Sequence, residues 1–254
     1  NNGSPYIETN YRDINLADID SKFFTSLLRI KAHPTLTKHS QPGMYGSGLN
    51  NGSTDIAHLH LVALMEYAAR NKLSIAILFV DISVAFASLS RRIVFMQWET
   101  DEEFINNISQ QGVDRNVALD FLTYLHNNPM WQGQSELHVH EMLKQVHTNT
   151  WNSFEFLSGV IHTKRGVLAG TPLADMLFCF LMIRYLTVVH KEAKDKGLVL
   201  ALEYQADNHF EIQQLNVDLN THPISYVDDM LFSIICINEL LITNISKLVN
   251  ILIK

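Results

Sequence analysis

The stretch that decides the fold is PISYVDDMLFSII, residues 223–235, in which two apolar runs flank a pair of adjacent aspartates. Apolar runs joined by a short polar turn predict a β-hairpin, with Asp228 and Asp229 at the turn. Adjacent carboxylates between apolar runs are unfavourable unless a positive charge binds them. Mg²⁺ suits this role, because it prefers a few carboxylate oxygens together with substrate phosphates. The alternative is that the pair serves turn chemistry alone.

A further aspartate follows a second apolar run. The run from Ile75 to Val80 has the length of a buried strand, and Asp81 comes directly after it. A two-metal phosphoryl-transfer site needs carboxylates from two elements of the fold. Asp81 and Asp228 would meet this need if their strands are neighbours.

A glycine-containing turn, GVLAGTP at residues 166–172, is predicted to open a long apolar helix from Leu173 to His190. Thr171 suits the N-cap and Pro172 the first helical position, where a missing N–H is not needed. The two glycines would let the backbone approach a ligand, or they provide turn chemistry only.

Periodicity and chain breakers predict the other elements. A loop is expected from Gln41 to Gly52, and residues 199–222 read as polar with short β-like pieces. The helical predictions are 11–31, Ser53 or Thr54 to about Asn71, 84–98, most of the region up to about 148, and 238–254, and β-type residues occupy 153–167.

The composition is that of a globular chain with a sizeable core, since 47% of its 254 residues are hydrophobic. Charged residues interrupt every long apolar run, so no membrane partner is predicted. The net charge of −7 weighs against nucleic-acid binding. Cys179 and Cys236 lie in apolar runs and are interpreted as buried thiols, which favours an intracellular location, nuclear or cytoplasmic.

Three ordered segments resemble the polymerase motifs of reverse transcriptases. FVDISVAF at 79–86 is similar to motif A, RGVLAGTPL at 165–173 to motif B and YVDD at 226–229 to motif C. The blocks at 11–22 and 41–55 are similar to the opening blocks of the non-LTR retrotransposon enzymes. The resemblance covers nearly the whole chain.

This resemblance implies an α+β right-hand polymerase fold, with a palm whose antiparallel sheet packs on helices and with fingers built of helices and β-structure. Residues 1–75 and about 97–155 would form the fingers, and residues about 76–96 and 156–254 the palm. The chain ends soon after Asp229, so the palm is expected to be incomplete at its C-terminus and the thumb to be absent.

The implied activity is that of a retrotransposon RNA-directed DNA polymerase, in which a primer 3′-hydroxyl attacks the α-phosphate of a dNTP. Asp81 and Asp228 would hold two Mg²⁺ ions, or Mn²⁺ in their place, with Asp229 assisting and the Ile82 carbonyl as a further ligand. The implied partners are an RNA template, a DNA primer and dNTPs. The sequence does not predict an oligomeric state.

Phe86 would lie under the sugar and disfavour a ribose 2′-hydroxyl, or it is an ordinary core aromatic. Arg12 and Lys22 would meet the triphosphate, or they are solvated helix charges. The remaining nucleotide contacts that the resemblance implies are Ala169, Gly170 and Tyr226.

Several positions depart from the family pattern. Ala169 stands where glutamine is usual, Thr171 replaces a frequent aspartate, and the loop from Gln41 to Thr54 has no Lys or Arg. Two alternatives therefore stay open, a catalytically inactive retroelement remnant and a nucleic-acid-binding scaffold. The nearest enzymatic alternative is a right-hand RNA polymerase.

Overall fold

Helices and two small antiparallel sheets make this an α+β protein, as the sequence predicts at the level of fold class. The computed structural model describes residues 17–82, 85–96, 99–153, 158–163, 165–167, 169–202 and 221–253. The α-helices in these residues are α1 Ile19–His39, α2 Thr54–Arg70, α3 Ala85–Ser88, α4 Arg91–Phe95, α5 Asp101–Gln110, α6 Arg115–Asn127, α7 Gln134–Val146, α8 Ala174–Asp195 and α9 Leu241–Leu252. The strands are β1 Ser74–Val80, β2 Trp151–Ser153, β3 Val160–His162, β4 Ile224–Tyr226 and β5 Asp229–Cys236.

The described residues divide into two compact units. The first unit contains those within Asn1–His39 and Ser83–Leu181, and the second unit those within Ser40–Ile82 and Met182–Lys254. The ranges given above for fingers and palm stay a prediction.

The second unit is built on a three-stranded antiparallel sheet in the order β1-β5-β4. Strand β1 pairs with β5 along its whole length, from Ser74 opposite Cys236 to Val80 opposite Met230. The predicted strand and the predicted hairpin are both present, and their strands are neighbours. This pairing joins two segments that are distant in the sequence.

Alternation along the strands gives this sheet two covered faces. On one face, Ile75 and Ile235 belong to an apolar cluster with Leu64 and Ala68 of α2. On the other face, Phe232 and Leu248 of α9 line a common small cavity. Full burial of each large apolar side chain contributes about 1.5–3 kcal/mol, so both layers stabilise the sheet.

The first unit is mostly helical. Helices α5 and α6 pack through Phe104, Ile105, Ala118, Leu122 and Leu125. A capping box begins α5, because the Thr100 hydroxyl accepts from the Glu103 amide while the Glu103 carboxylate accepts from the Thr100 amide.

The first described helix extends further than predicted. The sequence predicts a helix over residues 11–31, but α1 runs to His39 and contains Pro34. Ala32 and Leu36 are fully buried, so their packing outweighs the helix-breaking tendency of the proline. Residues 11–16 lie outside the described residues.

The prediction of one continuous helix over residues 84–98 is wrong. The described part forms two short helices, α3 and α4. The carbonyl of Phe86 accepts from the Val167 amide, and the carbonyl of Leu89 accepts from the Gly166 amide. These carbonyls bond to a distant turn instead of to the next helical turn, so the helix breaks between α3 and α4.

Other boundaries shift by a few residues. Helix α8 begins at Ala174, so Thr171 and Pro172 lie in the turn before it and not at its N-cap. A short 3₁₀ helix, Asn238–Leu240, precedes α9. Of the two predicted caps of α2, Ser53 is the one present, with its hydroxyl accepting from the Ile56 amide. Of the segment 199–222, residues 203–220 lie outside the described residues.

In the part of the chain that the structure describes, no helix is long and apolar enough to cross a membrane. This agrees with the interrupted apolar runs of the sequence.

The buried His147 generates a prediction for pH dependence. Burial lowers the pKa of its ring from 6.5 to about 4 in the folded protein. The folded state therefore resists protonation that the unfolded chain accepts, and stability falls as the pH drops through 6.5 towards 4. We expect His147 to account for a loss of about 2 kcal/mol in the free energy of unfolding between pH 7.5 and pH 5.0.

Urea unfolding of wild type, His147→Gln and His138→Gln at the two pH values measures this effect. The exposed His138 is the matched control, and its variant should keep the wild-type pH dependence. Equal pH dependence in all three proteins would contradict the assignment.

Candidate functional site

The aspartate pair lies on a tight hairpin in the second unit. Tyr226, the last residue of β4, pairs with Asp229, the first residue of β5, so that Val227 and Asp228 alone form the turn. The prediction that both aspartates lie in the turn is therefore wrong for Asp229. A two-residue loop between strands matches the right-handed twist of a hairpin best, and it leaves Asp229 in the ladder.

The sheet brings Asp81 to the same end of the hairpin. Val80 lies opposite Met230, so the register continued by one residue sets Asp81 opposite Asp229. Directly opposite residues of an antiparallel pair have Cα atoms about 4.5–5.5 Å apart, and their side chains project from the same face. The condition that the strand before Asp81 and the strand of the aspartate hairpin be neighbours is thus met.

Two of these carboxylates, those of Asp81 and Asp229, carry negative charge without a described cation beside them. Asp81 and Asp229 are exposed, and neither forms an ion pair with any residue that the structure describes. Asp228 is half-buried in the turn. Like charges directly opposite on neighbouring strands are destabilising, so a bound cation would relieve their repulsion.

The donor set fits Mg²⁺ with substrate and does not fit a closed metal cage. Among the described residues, no three His, Cys, Asp or Glu side chains are grouped so that they could hold a metal ion by themselves. Mg²⁺ commonly takes one or two carboxylates and completes its shell with water and phosphate oxygens. Asp81 and Asp229, with Asp228 beside them, provide hard oxygen donors of this kind.

The hairpin turn holds a strained residue. Val227 has φ = 59°, in the left-handed region that β-branched residues rarely adopt. Such conformations cost about 1–3 kcal/mol and persist where the surroundings hold them in place.

The loop from Gln41 to Gly52 supplies these surroundings. The Tyr45 amide donates to the Ser225 carbonyl at 2.9 Å, and the Ser225 amide donates to the Gly43 carbonyl at 2.9 Å. The loop therefore adds a short parallel bridge to the outer side of β4. A Cβ on Gly46 would lie 2.4 Å from the Val227 nitrogen, so only glycine permits this approach.

Side chains fix the loop in this position. The Asn50 amide group donates to the carbonyls of Gln41 and Met44 at 2.9 and 2.8 Å. The Tyr45 hydroxyl and His60 Nδ1 of α2 form a hydrogen bond of 2.9 Å. Burial, and after it the electrostatic interaction with nearby His222, lowers the pKa of His60.

The glycine turn of residues 166–172 belongs to the first unit. Gly166 has φ = 79°, and a Cβ there would lie 2.7 Å from the Ala87 carbonyl oxygen. Its amide donates to the Leu89 carbonyl at 2.7 Å, and the Val167 amide donates to the Phe86 carbonyl at 2.8 Å. Gly166 therefore has a structural reason to be glycine, namely close packing on α3.

Both ends of this turn are held from within the same unit. Arg29 of α1 donates to the Pro172 carbonyl at 2.6 Å and forms a two-bond ion pair with Asp175 in the first turn of α8. The ring of Phe86 packs against Phe178, with centroids 5.5 Å apart. Phe86 thus contributes to the core of the first unit, whatever else it contacts.

The predicted site residues divide between the units. Tyr226 is 37% exposed on the hairpin, and Ile82 follows Asp81 and is half-buried. In the first unit, Ala169 is half-buried and Gly170 exposed in the glycine turn, and Lys22 is exposed on α1. Arg12 lies outside the described residues. The second unit contains Asp81, Ile82, Tyr226, Asp228 and Asp229, and the first contains Lys22, Phe86, Ala169 and Gly170.

Comparison of the chain with known proteins gives no support to any single family. No family model matches the sequence, and no curated protein matches it. Function must therefore be argued from the geometry and the motifs themselves.

Sequence reasoning missed the residues whose hydrogen bonds hold the loop of residues 41–52 and the glycine turn in place. Tyr45 and Asn50 hold the glycine loop on β4, and Arg91 bonds to the glycine turn. The glycine content of the loop was the available signal, since close backbone approach requires glycine. A single arginine within a predicted helical segment gives no comparable signal.

The strained turn leads to a stability prediction. Val227→Gly should raise the free energy of unfolding by about 1 kcal/mol, because glycine adopts a left-handed φ without the Cβ clash. Val80→Gly is the matched control on extended backbone and should lower stability. Thermal and urea unfolding measure both, and destabilisation by Val227→Gly would show that the valine side chain matters more than its backbone conformation.

The close approach of the loop to the hairpin leads to a second stability prediction. Gly46→Ala should lower the free energy of unfolding by about 1–3 kcal/mol, since its new methyl group would overlap the backbone of Val227. Gly159→Ala is the control, because a Cβ there meets nothing within 4 Å. Equal stability of the two variants would argue against the loop packing described above.

Proposed function

We propose that this protein is an RNA-directed DNA polymerase that transfers nucleotidyl groups from dNTPs to a primer 3′-hydroxyl by two-metal catalysis, with release of pyrophosphate. The observation that carries the proposal is the β1–β5 register, which sets Asp81 opposite Asp229 next to Asp228. Carboxylates from two strands that meet at one exposed end of a sheet are the arrangement such a reaction needs.

The architecture of the second unit supports a palm. Its antiparallel sheet carries a hairpin with an aspartate pair beside a strand that ends in a further aspartate, and helices cover the sheet. The same order of elements is implied by the resemblance to reverse transcriptases. The ordered motifs at 79–86, 165–173 and 226–229 favour this polymerase class over other users of paired carboxylates.

The protein's own part in the chemistry is to hold the carboxylates in position and to leave space for the substrates. The β-ladder fixes the backbone of Asp229 and that of Val80 just before Asp81, and the packed loop holds the Asp228 turn. Exposure of the carboxylates leaves the triphosphate and primer end free to approach them. When bound, Mg²⁺ supplies Lewis acidity and charge neutralisation at the reacting phosphate, so that the reaction needs no protein general base.

Primer extension tests the proposal directly. The full chain is incubated with an RNA template, an annealed DNA primer, Mg²⁺ and dNTPs, and product length is followed on a gel. We expect extension by wild type and a loss of at least about 100-fold, equivalent to about 3 kcal/mol in the barrier, for Asp81→Asn and Asp228→Asn.

Asp120→Asn on α6 is the matched control, because Asp120 is exposed and belongs to the first unit. Absence of extension by wild type, or equal extension by wild type and both site variants, would reject the proposal. Replacement of dNTPs by rNTPs in the same assay separates a DNA polymerase from an RNA polymerase.

A nucleic-acid-binding scaffold without catalysis is the second candidate. The observation that favours a fold without catalysis is the loop from Gln41 to Thr54, which offers no cation to a triphosphate and uses its backbone groups to pack on β4. Under this function, labelled RNA would bind equally well with and without a chelator, and Asp81→Asn would leave binding unchanged.

A further inference from the structure

Arg91, the first residue of α4, is one of the most deeply buried charged residues of the first unit, with 5% of its surface exposed. Its Nε donates to the Gly166 carbonyl at 2.8 Å, and its Nη1 donates to the carbonyls of His147 and Thr163 at 2.7 and 3.1 Å. Its Nη2 donates to the hydroxyls of Thr150 and Thr163 at 2.9 and 3.3 Å. All five donors of the guanidinium thus have acceptors.

Every one of these acceptors is a neutral oxygen. Burial lowers the pKa of Arg91, but an arginine stays protonated in proteins, so a positive charge is buried here without a described carboxylate beside it. Burying a charge without an opposite partner is unfavourable. The presence of an arginine at position 91 is therefore explained by geometry better than by charge, because only the planar guanidinium can donate to all these oxygens at once.

The oxygens come from three separate segments. Gly166 belongs to the glycine turn, His147 follows the end of α7, and Thr150 and Thr163 form the base of the β2–β3 hairpin. The Thr163 amide also donates to the Thr150 carbonyl at 2.9 Å. Arg91 is therefore the connection that fixes the glycine turn to the hairpin leading into it.

The turn is held from two sides. Its amides donate to the carbonyls of Phe86 and Leu89, and the Gly166 carbonyl accepts from Arg91. Without Arg91 the Gly166 carbonyl would lose its partner in a buried position, which favours a different peptide orientation at this turn. Ala169 and Gly170, the predicted nucleotide contacts of this turn, follow within a few residues.

We infer that Arg91 is a positioning residue that sets the conformation of the glycine turn and, through it, the affinity for the incoming nucleotide. The nucleotide part of this inference rests on the proposed polymerase function. The conformational part stands on the hydrogen bonds of the first unit alone.

Arg92 provides a matched control at the next position. It is also buried, at 7% exposure, but it bonds to the Met96 and Glu99 carbonyls and to the Asp101 carboxylate, all close to it in sequence. Loss of Arg92 should therefore destabilise the α4–α5 connection and leave the glycine turn unchanged.

Hydrogen exchange measured by mass spectrometry on the full chain tests the conformational part. The hydrogen-bonded amides of Thr163, Gly166 and Val167 should exchange at least about tenfold faster in Arg91→Gln and Arg91→Lys than in wild type, and at the wild-type rate in Arg92→Gln. Arg91→Lys keeps the positive charge but lacks the planar set of guanidinium donors. It keeps the test decisive if the glutamine variant does not fold. Wild-type exchange in Arg91→Lys, or equal acceleration by Arg92→Gln, overturns the inference.

Steady-state primer extension tests the nucleotide part. We expect the KM for dNTP to rise at least about fivefold in Arg91→Lys with kcat within about twofold of wild type, a split that general destabilisation would not produce. An unchanged KM in an active enzyme overturns this part. If wild type does not extend primers, the proposed function falls, and the exchange comparison still decides whether Arg91 sets the turn.

Discussion

The antiparallel pairing of β1 with β5 is the interaction on which the candidate site depends. Side chains alternate along a strand, so a slip of one residue would turn Asp81 to the opposite face of the sheet from Asp229. The apolar cluster on one face of the sheet opposes that slip, because Ile75 of β1 would leave its place beside Ile235 and α2. Core packing therefore determines the position of the carboxylates, although none of them belongs to the core.

The sequence predicted the parts of this arrangement that depend on local pattern. The apolar run up to Val80, the hairpin around Asp228 and the cap at Ser53 all have short-range signals, and all are present. The sequence could not show that the carbonyls of Phe86 and Leu89 bond to the glycine turn, because such contacts join distant segments. The continuous helix predicted there was wrong for this reason.

The candidate site combines unneutralised charge with backbone strain. Asp81 and Asp229 lie opposite each other without described cations, and Val227 beside them adopts a left-handed conformation. Both features oppose folding, and both are tolerated because the loop of residues 41–52 and helix α2 support the hairpin from behind. Local rules that are broken in one place and compensated nearby are typical of functional sites.

The β1–β5 ladder also has a consequence for how the protein is made. Its partners, residues 74–80 and 230–236, are separated by about 150 residues, so a large chain loop must close before the first pair forms. Contacts of such long range slow folding. During synthesis the helices of the first unit emerge before β5 exists, so the β1–β5 pairing can form only after residues 230–236 have been synthesised.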